Sequence, residues 1–131
     1  MLNSKEKIVD VNGRKYRLTK MDARTGSYVA AKIALLCAPL LKGGKVDEAA
    51  IGQMLPALNR RDFDELQTIL LKTAQAVKGE GIYEPVCKAD GSIIDDDLRY
   101  DVSTLIAITV NAIMFNVGGF FNEAGLMPAK K

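Results

Sequence analysis

The chain has 131 residues, 48% of them hydrophobic and 26% charged, a size that fits one globular domain with a real core and falls short of two. Eighteen Lys and Arg against sixteen Asp and Glu leave a formal charge of +2, without the basic excess that marks a nucleic-acid-binding chain. Histidine is absent, which removes the commonest general base, the commonest metal ligand and every imidazole-based triad.

In chain order, "KIVDVNGRKYRLTK" sets Val9 and Val11 before Asn12-Gly13, and Tyr16 and Leu18 after it, alternating with polar residues. Asn-Gly tolerates the positive φ angles of a two-residue turn, so the pattern predicts a β-hairpin. Thr19 and Asp22 then read as a capping box opening a first helix, in which Val29, Ile33, Leu36 and Leu40 recur at helical spacing until Pro39 kinks or ends it. After the loop "KGGK", Asp47 is placed to cap a short second helix through Ile51, Met54, Leu55 and Leu58, bent or ended near Pro56.

A third helix is predicted over "RRDFDELQTILLKTAQAVK", where Phe63, Leu66, Ile69, Leu70, Ala74 and Val77 form one apolar stripe, with a stop at Gly79-Glu80-Gly81. "IYEPVCKADGSIIDDD" reads as extended, with a second short hairpin turning at Asp90-Gly91 and Pro85 favouring an edge position. The last helix is expected to start near Asp95 to Asp97, where carboxylates meet unpaired N–H groups, and to run to about Asn122. The fold class expected is therefore α+β, mainly α: an N-terminal hairpin over residues 1–19 and a body of about four helices over 20–126, one domain, with 127–131 as a flexible tail.

Catalytic and cofactor chemistry find no seat in this pattern. Asp62 with Glu65, and Asp95 to Asp97, are the tight acidic groups, and both lie where helix starts favour negative charge. "KADGSIIDDD" invites comparison with a calcium loop, but the register puts Val86 and Lys88 where carboxylates are required. Gly43-Gly44-Lys45 lacks the spacing of a phosphate loop. No catalytic residue, cofactor or metal site is expected. Arg14, Lys15 and Arg17 with Tyr16 offer phosphate and stacking contacts, but a half-buried strand gives the same alternation, with Tyr16 in the core, so no nucleic acid is expected.

Charge is uneven along the chain. Residues 1–24 carry seven basic and three acidic side chains, and residues 80–101 carry two basic and seven acidic ones. Such patches attract each other within a monomer or between copies. Cys37 and Cys87 form no CxxC pair and read as buried free thiols. Nothing near residue 1 has the apolar run of a signal peptide, so an intracellular protein is expected.

On a helical wheel the last helix carries one stripe of Val102, Ile106, Thr109, Ile113, Val117 and Phe120 beside a second of Leu105, Ile108, Ala112 and Phe115. Together with Val110, Met114 and Phe121 the apolar arc exceeds the ~100° that one packing face needs, leaving Tyr100, Thr104, Ala107, Asn111 and Gly118 as a narrow outward strip. Val102 to Phe121 has the ~20 uncharged residues of a membrane span, but its Thr and Asn residues, its Gly pair and the amphipathic neighbouring helices point to a buried helix and no membrane. Met114, Phe115, Phe120, Phe121, Leu126 and Met127 cluster at its end, where few local elements remain to cover them; a Met and Phe patch of this kind suits a partner helix or a second copy.

"KYRLTKMDARTGSYVAAKIA" and "LIAITVNAIMFNVGGFFNEAGL" resemble the tail assembly chaperones of long-tailed bacteriophages. The resemblance implies a small non-enzymatic protein in the cytoplasm of the infected host, which binds the tape measure protein, keeps it soluble and helps recruit tail tube subunits, and which is not expected in the mature virion. It also implies a homo-oligomer along one long client. Many members acquire a second, tube-contacting domain by a frameshift, and one of the many codon choices for Ala129-Lys130-Lys131 contains a slippery run, a compatibility and not evidence. The alternatives are a small phage structural or head–tail connector protein that stays in the virion, and a small enzyme built on the acidic groups.

Overall fold

The structure is a computed structural model and describes residues 5–37 and 48–118. Four short strands, β1 (Glu6–Val11), β2 (Arg14–Thr19), β3 (Ala74–Gly79) and β4 (Ile82–Pro85), form one antiparallel sheet in that order. The first hairpin is the one predicted. Asn12 and Gly13 take φ angles of 53° and 85°, the pair of positive values that a twist-matched two-residue turn requires, and Asp10 accepts the Gly13 N–H at 3.1 Å. Alternation then buries Val11, Tyr16 and Leu18 on one face.

The helices are α1 (Ala23–Cys37), α2 (Glu48–Met54) with a 3₁₀ turn at Leu55–Ala57, α3 (Arg60–Leu71), α4 (Asp96–Arg99) and α5 (Val102–Ile113), which continues as a π turn over Met114–Gly118. α1 starts later than the proposed capping box. Thr19 remains in β2, where its hydroxyl donates to the Thr73 carbonyl at 3.0 Å, and Asp22 caps the helix through the Thr25 N–H at 3.3 Å. Pro56 ends α2 in the 3₁₀ turn, as expected. Pro39, Leu40 and the Asp47 cap lie outside the described residues.

The third helix is shorter than its apolar stripe suggests: it stops at Leu71, and Ala74–Gly79 is a strand at the centre of the sheet. Ala74 and Val77 fit a helical period, but Ala74 and Ala76 also fit a period of two, and the free edge of β2 decides between them. Ala74 pairs with Leu18, and Ala76 pairs with Tyr16, so small side chains face large ones across the ladder. Thr73 makes the turn out of the helix, its N–H and hydroxyl both donating to the Leu70 carbonyl, at 3.0 and 2.7 Å. Gly79-Glu80-Gly81 is accordingly a hairpin turn, with Gly81 at φ 72°.

β4 is an edge strand, as Pro85 implied. The hairpin expected at Asp90-Gly91 contracts to a single bridge between Cys87 and Ile93. Gly91 has φ 92°, and a Cβ there would lie 2.8 Å from the Thr68 hydroxyl, so glycine serves both the turn and the close approach.

The predicted last helix is two helices. Asp95 caps α4 through the Asp97 N–H at 2.9 Å; the chain breaks at Tyr100, and Asp101 caps α5 afresh through the Thr104 N–H at 3.1 Å. From Thr104 onward no described residue of α5 or its π turn is exposed. The outward polar strip is corrected in part: Thr104 and Gly118 are buried, and the exposed positions are Tyr100, Val102 and Ser103. Thr104 points inward because its hydroxyl finds partners, accepting from Asn12 and donating to Asp101, both at 2.8 Å.

Two clusters make the core. Val11, Tyr16, Leu18, Leu71, Val86, Leu98 and Ile108 lie between the sheet and the first half of α5. Val29, Ile33, Ile51, Met54, Leu66, Leu70, Ile113 and Val117 lie among α1, α2, α3 and the second half. α5 therefore passes from a sheet-lined to a helix-lined environment, and its apolar arc has cover from Leu105 onward, whereas Val102, placed in the buried stripe by the wheel, is 75% exposed because it sits in the first turn beyond the sheet's reach.

Candidate functional site

The end of α5 meets the connection between β2 and α1. Asn116, on the π turn, accepts the Met21 N–H at 2.8 Å and donates to the Ala112 carbonyl at 3.0 Å and the Thr19 carbonyl at 3.5 Å. Lys20 donates to the Phe115 carbonyl at 2.5 Å, and its ammonium lies 4.5 Å from the Phe115 ring centre, within cation–π range. Beside these contacts opens a mainly apolar cavity of about 300 Å³, its walls including Met21, Gly26, Ala30, Asn116 and Val117. Nothing in the charge pattern singled out Asn116 or Lys20. The available signal was an Asn inside an otherwise apolar helical run.

Of the six residues proposed for a partner surface, Met114 and Phe115 are described, and each is half-buried. Met114 packs against the helical cluster, and Phe115 packs against the sheet cluster. They therefore leave the end of α5 in two directions. Phe120, Phe121, Leu126 and Met127 lie outside the described residues.

A second apolar feature, missed from the sequence, lies on α1. Leu35 is 75% and Tyr28 43% exposed, and both line an open cleft of about 370 Å³ with Ala31, Lys32, Leu36 and Asp62. Tyr28 donates to Glu65 at 3.0 Å, and Lys32 bridges Asp62 and Glu65 at 3.3 and 3.8 Å. Leu35 falls between the buried Ile33 and the half-buried Leu36, so a helical wheel would have set it apart from the core stripe. On the outer face of the sheet, Arg17 stacks over Tyr83 at 4.6 Å while bonded to Glu6 and Gln75.

The acidic groups are engaged in structure. Asp62 and Glu65 tie α3 to Lys32 of α1. Asp95 accepts from Lys78 at 3.0 Å, and this bond, with the capped Asp97 N–H, holds its carboxyl below the usual range. Asp96 pairs with Arg99 at 3.0 Å. Asp101, bonded by the Thr104 N–H and hydroxyl and by Arg14 at 2.8 Å, is likewise lowered. The Arg14 pair joins the basic N-terminal segment to the acidic one within a single chain. Tyr16 is 2% exposed, in the core as the strand alternation implied. Burial pushes the phenol of Tyr16 and the thiol of Cys87 up. Among the described residues no group of His, Cys, Asp and Glu is arranged to hold a metal, and no helix is long and apolar enough to cross a membrane.

These features define a small α+β protein whose notable surfaces are apolar helix faces and whose acidic groups serve caps and ion pairs. The family model described as phage tail assembly chaperone protein matches residues 12–128, and the chain belongs to that family. No curated protein and no solved structure matches it. Family membership supports a role in tail assembly, with protein partners in the tail, and it suggests a non-enzymatic one.

Proposed function

We propose that the chain binds the tape measure protein in the cytoplasm of the infected bacterium, keeps it soluble and helps recruit tail tube subunits, acting through protein contacts without catalysis. Family membership over residues 12–128 carries this reading. The half-buried Met114 and Phe115, at the point where α5 leaves the core, agree with a client surface that continues through Phe120, Phe121, Leu126 and Met127. Apolar stripes of a long helical client aggregate unless covered, and Met and Phe give adaptable, large-area cover. Several copies line one client.

Co-expression with the tape measure protein of the same phage tests this. The wild-type chain should hold the client in the soluble fraction and co-purify with it. Phe120→Asp with Phe121→Asp should lose both while keeping a native circular dichroism spectrum. A client that stays insoluble beside the wild-type chain refutes the function, and full solubilisation by the double variant refutes the surface. Mass spectrometry of purified virions should find the chain absent.

A further inference from the structure

α1 has two faces. Val29, Ala30 and Ile33 are buried. Arg24, Tyr28, Ala31 and Leu35 are exposed, and at ~100° per residue they gather about half a turn of the helix away from the buried set. They recur at intervals of four, three and four residues, the spacing of a heptad seam. The Tyr28 ring is held in place, its hydroxyl donating to Glu65 at 3.0 Å and the Lys32 ammonium lying 5.8 Å from its centre. The seam also matches itself in reverse. An antiparallel second copy sets Tyr28 beside the partner's Ala31, large against small, and Arg24 beside the partner's Leu35. Charge favours the same arrangement. Arg24 lies in the first turn of α1, where the helix dipole disfavours a cation, and it makes no ion pair among the described residues. The last turn of α1 has no basic residue, and antiparallel pairing brings Arg24 to that turn of the partner, where a cation is favoured. Asp62 lines the same cleft as Leu35, so a carboxylate stands on that side as well.

We infer that the outward face of α1 is where two copies of this chain meet, antiparallel about a two-fold axis between Val29 and Ala30, with Tyr28 and Leu35 as anchors. A two-fold contact uses one patch twice and requires that patch to match itself, which the seam does. An apolar client helix would use Tyr28 and Leu35 but would leave Arg24 without a complement. The seam is about 16 Å long, short of what permanent dimers bury, so the contact is reversible, with a Kd of about 10–100 µM. The inference gives a surface to the self-association proposed above. It is measured on the chain alone, so a failure to bind the client does not touch it, and a monomeric chain leaves the client reading standing.

The test is sedimentation of the chain alone, from low micromolar to several hundred micromolar. The wild type should pass from monomer to dimer. Leu35→Lys, at an exposed position, sets a second cation beside the partner's Arg24 and should weaken association about tenfold or more. Arg24→Glu added to Leu35→Lys places opposite charges in both outer layers and should recover most of the loss. A wild-type chain that stays monomeric overturns the inference, and so does association that Leu35→Lys leaves unchanged. Loss in Leu35→Lys without recovery in the double variant overturns the antiparallel pairing. If circular dichroism shows Leu35→Lys unfolded, Ala31→Glu, also at an exposed position, should block the close approach of Tyr28; unchanged dimerisation there overturns the inference too.

Discussion

Thr104→Val is the perturbation that best tests how the hairpin is fixed to α5. Valine nearly matches threonine in shape, so the buried site keeps its packing and loses only the hydroxyl. That hydroxyl accepts from Asn12 at 2.8 Å and donates to Asp101 at 2.8 Å. Two such bonds contribute about 0.5–1.5 kcal/mol each. Both partners have some access to water and recover part of the loss by hydration, so the expected cost is about 1–2 kcal/mol. Urea unfolding should show this as a lower midpoint at unchanged slope. Asn12→Gly keeps the positive φ and removes the amide; with Thr104→Val it closes a double-mutant cycle whose coupling should be about 0.5–1.5 kcal/mol. A cost for T104V below about 0.3 kcal/mol, with no coupling, would mean that the inward hydroxyl and its two bonds are not formed in solution, and with them the correction of the outward polar strip would fall.

Ile113→Ala, at a fully buried position among α1, α2 and α3, should cost about 2–5 kcal/mol in the same assay. Ala76→Phe sets a second ring opposite Tyr16 in the centre of the sheet and should destabilise by about 1–3 kcal/mol through overpacking; a neutral result would favour the helical reading of residues 74–78. The lowered carboxyls of Asp95 and Asp101 contribute stability that is present above their unfolded value of about 4 and lost as pH falls through their depressed folded values. Acid unfolding of Asp95→Asn with Asp101→Asn should accordingly show a flatter dependence over that window. Cys87, buried and with its thiol pushed up, should resist iodoacetamide in the native chain and label in urea, as peptide mapping would show.

What was legible in the sequence depended on how local the deciding force is. The first hairpin was readable because Asn12-Gly13 and its alternating flanks contain the whole reason for it, and the helix start at Asp95 was readable because a cap is satisfied within three residues; the first helix was placed a turn early, with Thr19 read as the cap that Asp22 supplies. β3 was not. Its helical stripe and its strand alternation share Ala74, and the choice was made by Tyr16 and Leu18, more than fifty residues away. The break at Tyr100 hid for a related reason: Asp101 looked like one more acidic residue before a long helix, and only its bonds to Thr104 and Arg14 make it a second cap. The surface proposed for a partner was read from composition alone, and which side of a Met or Phe meets the core is settled by packing. Met114 and Phe115 divide between two clusters; the wheel set Phe115 with Leu105 and Ile108 but could not say that the sheet would cover that stripe.

That division gives α5 its meaning. A helix apolar nearly all round must be covered on every side, and here the sheet covers its first half while three helices cover its second. The strand that sequence reading missed is part of that cover, since Ala74 and Ala76 complete the sheet face on which Ile108 rests. Had residues 74–78 remained helical, Tyr16 and Leu18 would have lost their partner strand, and the start of α5 would have faced a two-stranded hairpin too narrow to be stable alone. The body of α5 is thus committed to holding two clusters together. Toward its end the commitment weakens, with Met114, Phe115 and Asn116 half-buried between buried Ile113 and Val117. There the Asn116 amide ties the helix end to the β2–α1 connection, accepting the Met21 N–H and donating to the Ala112 carbonyl, while Val117 still seats in the helical cluster.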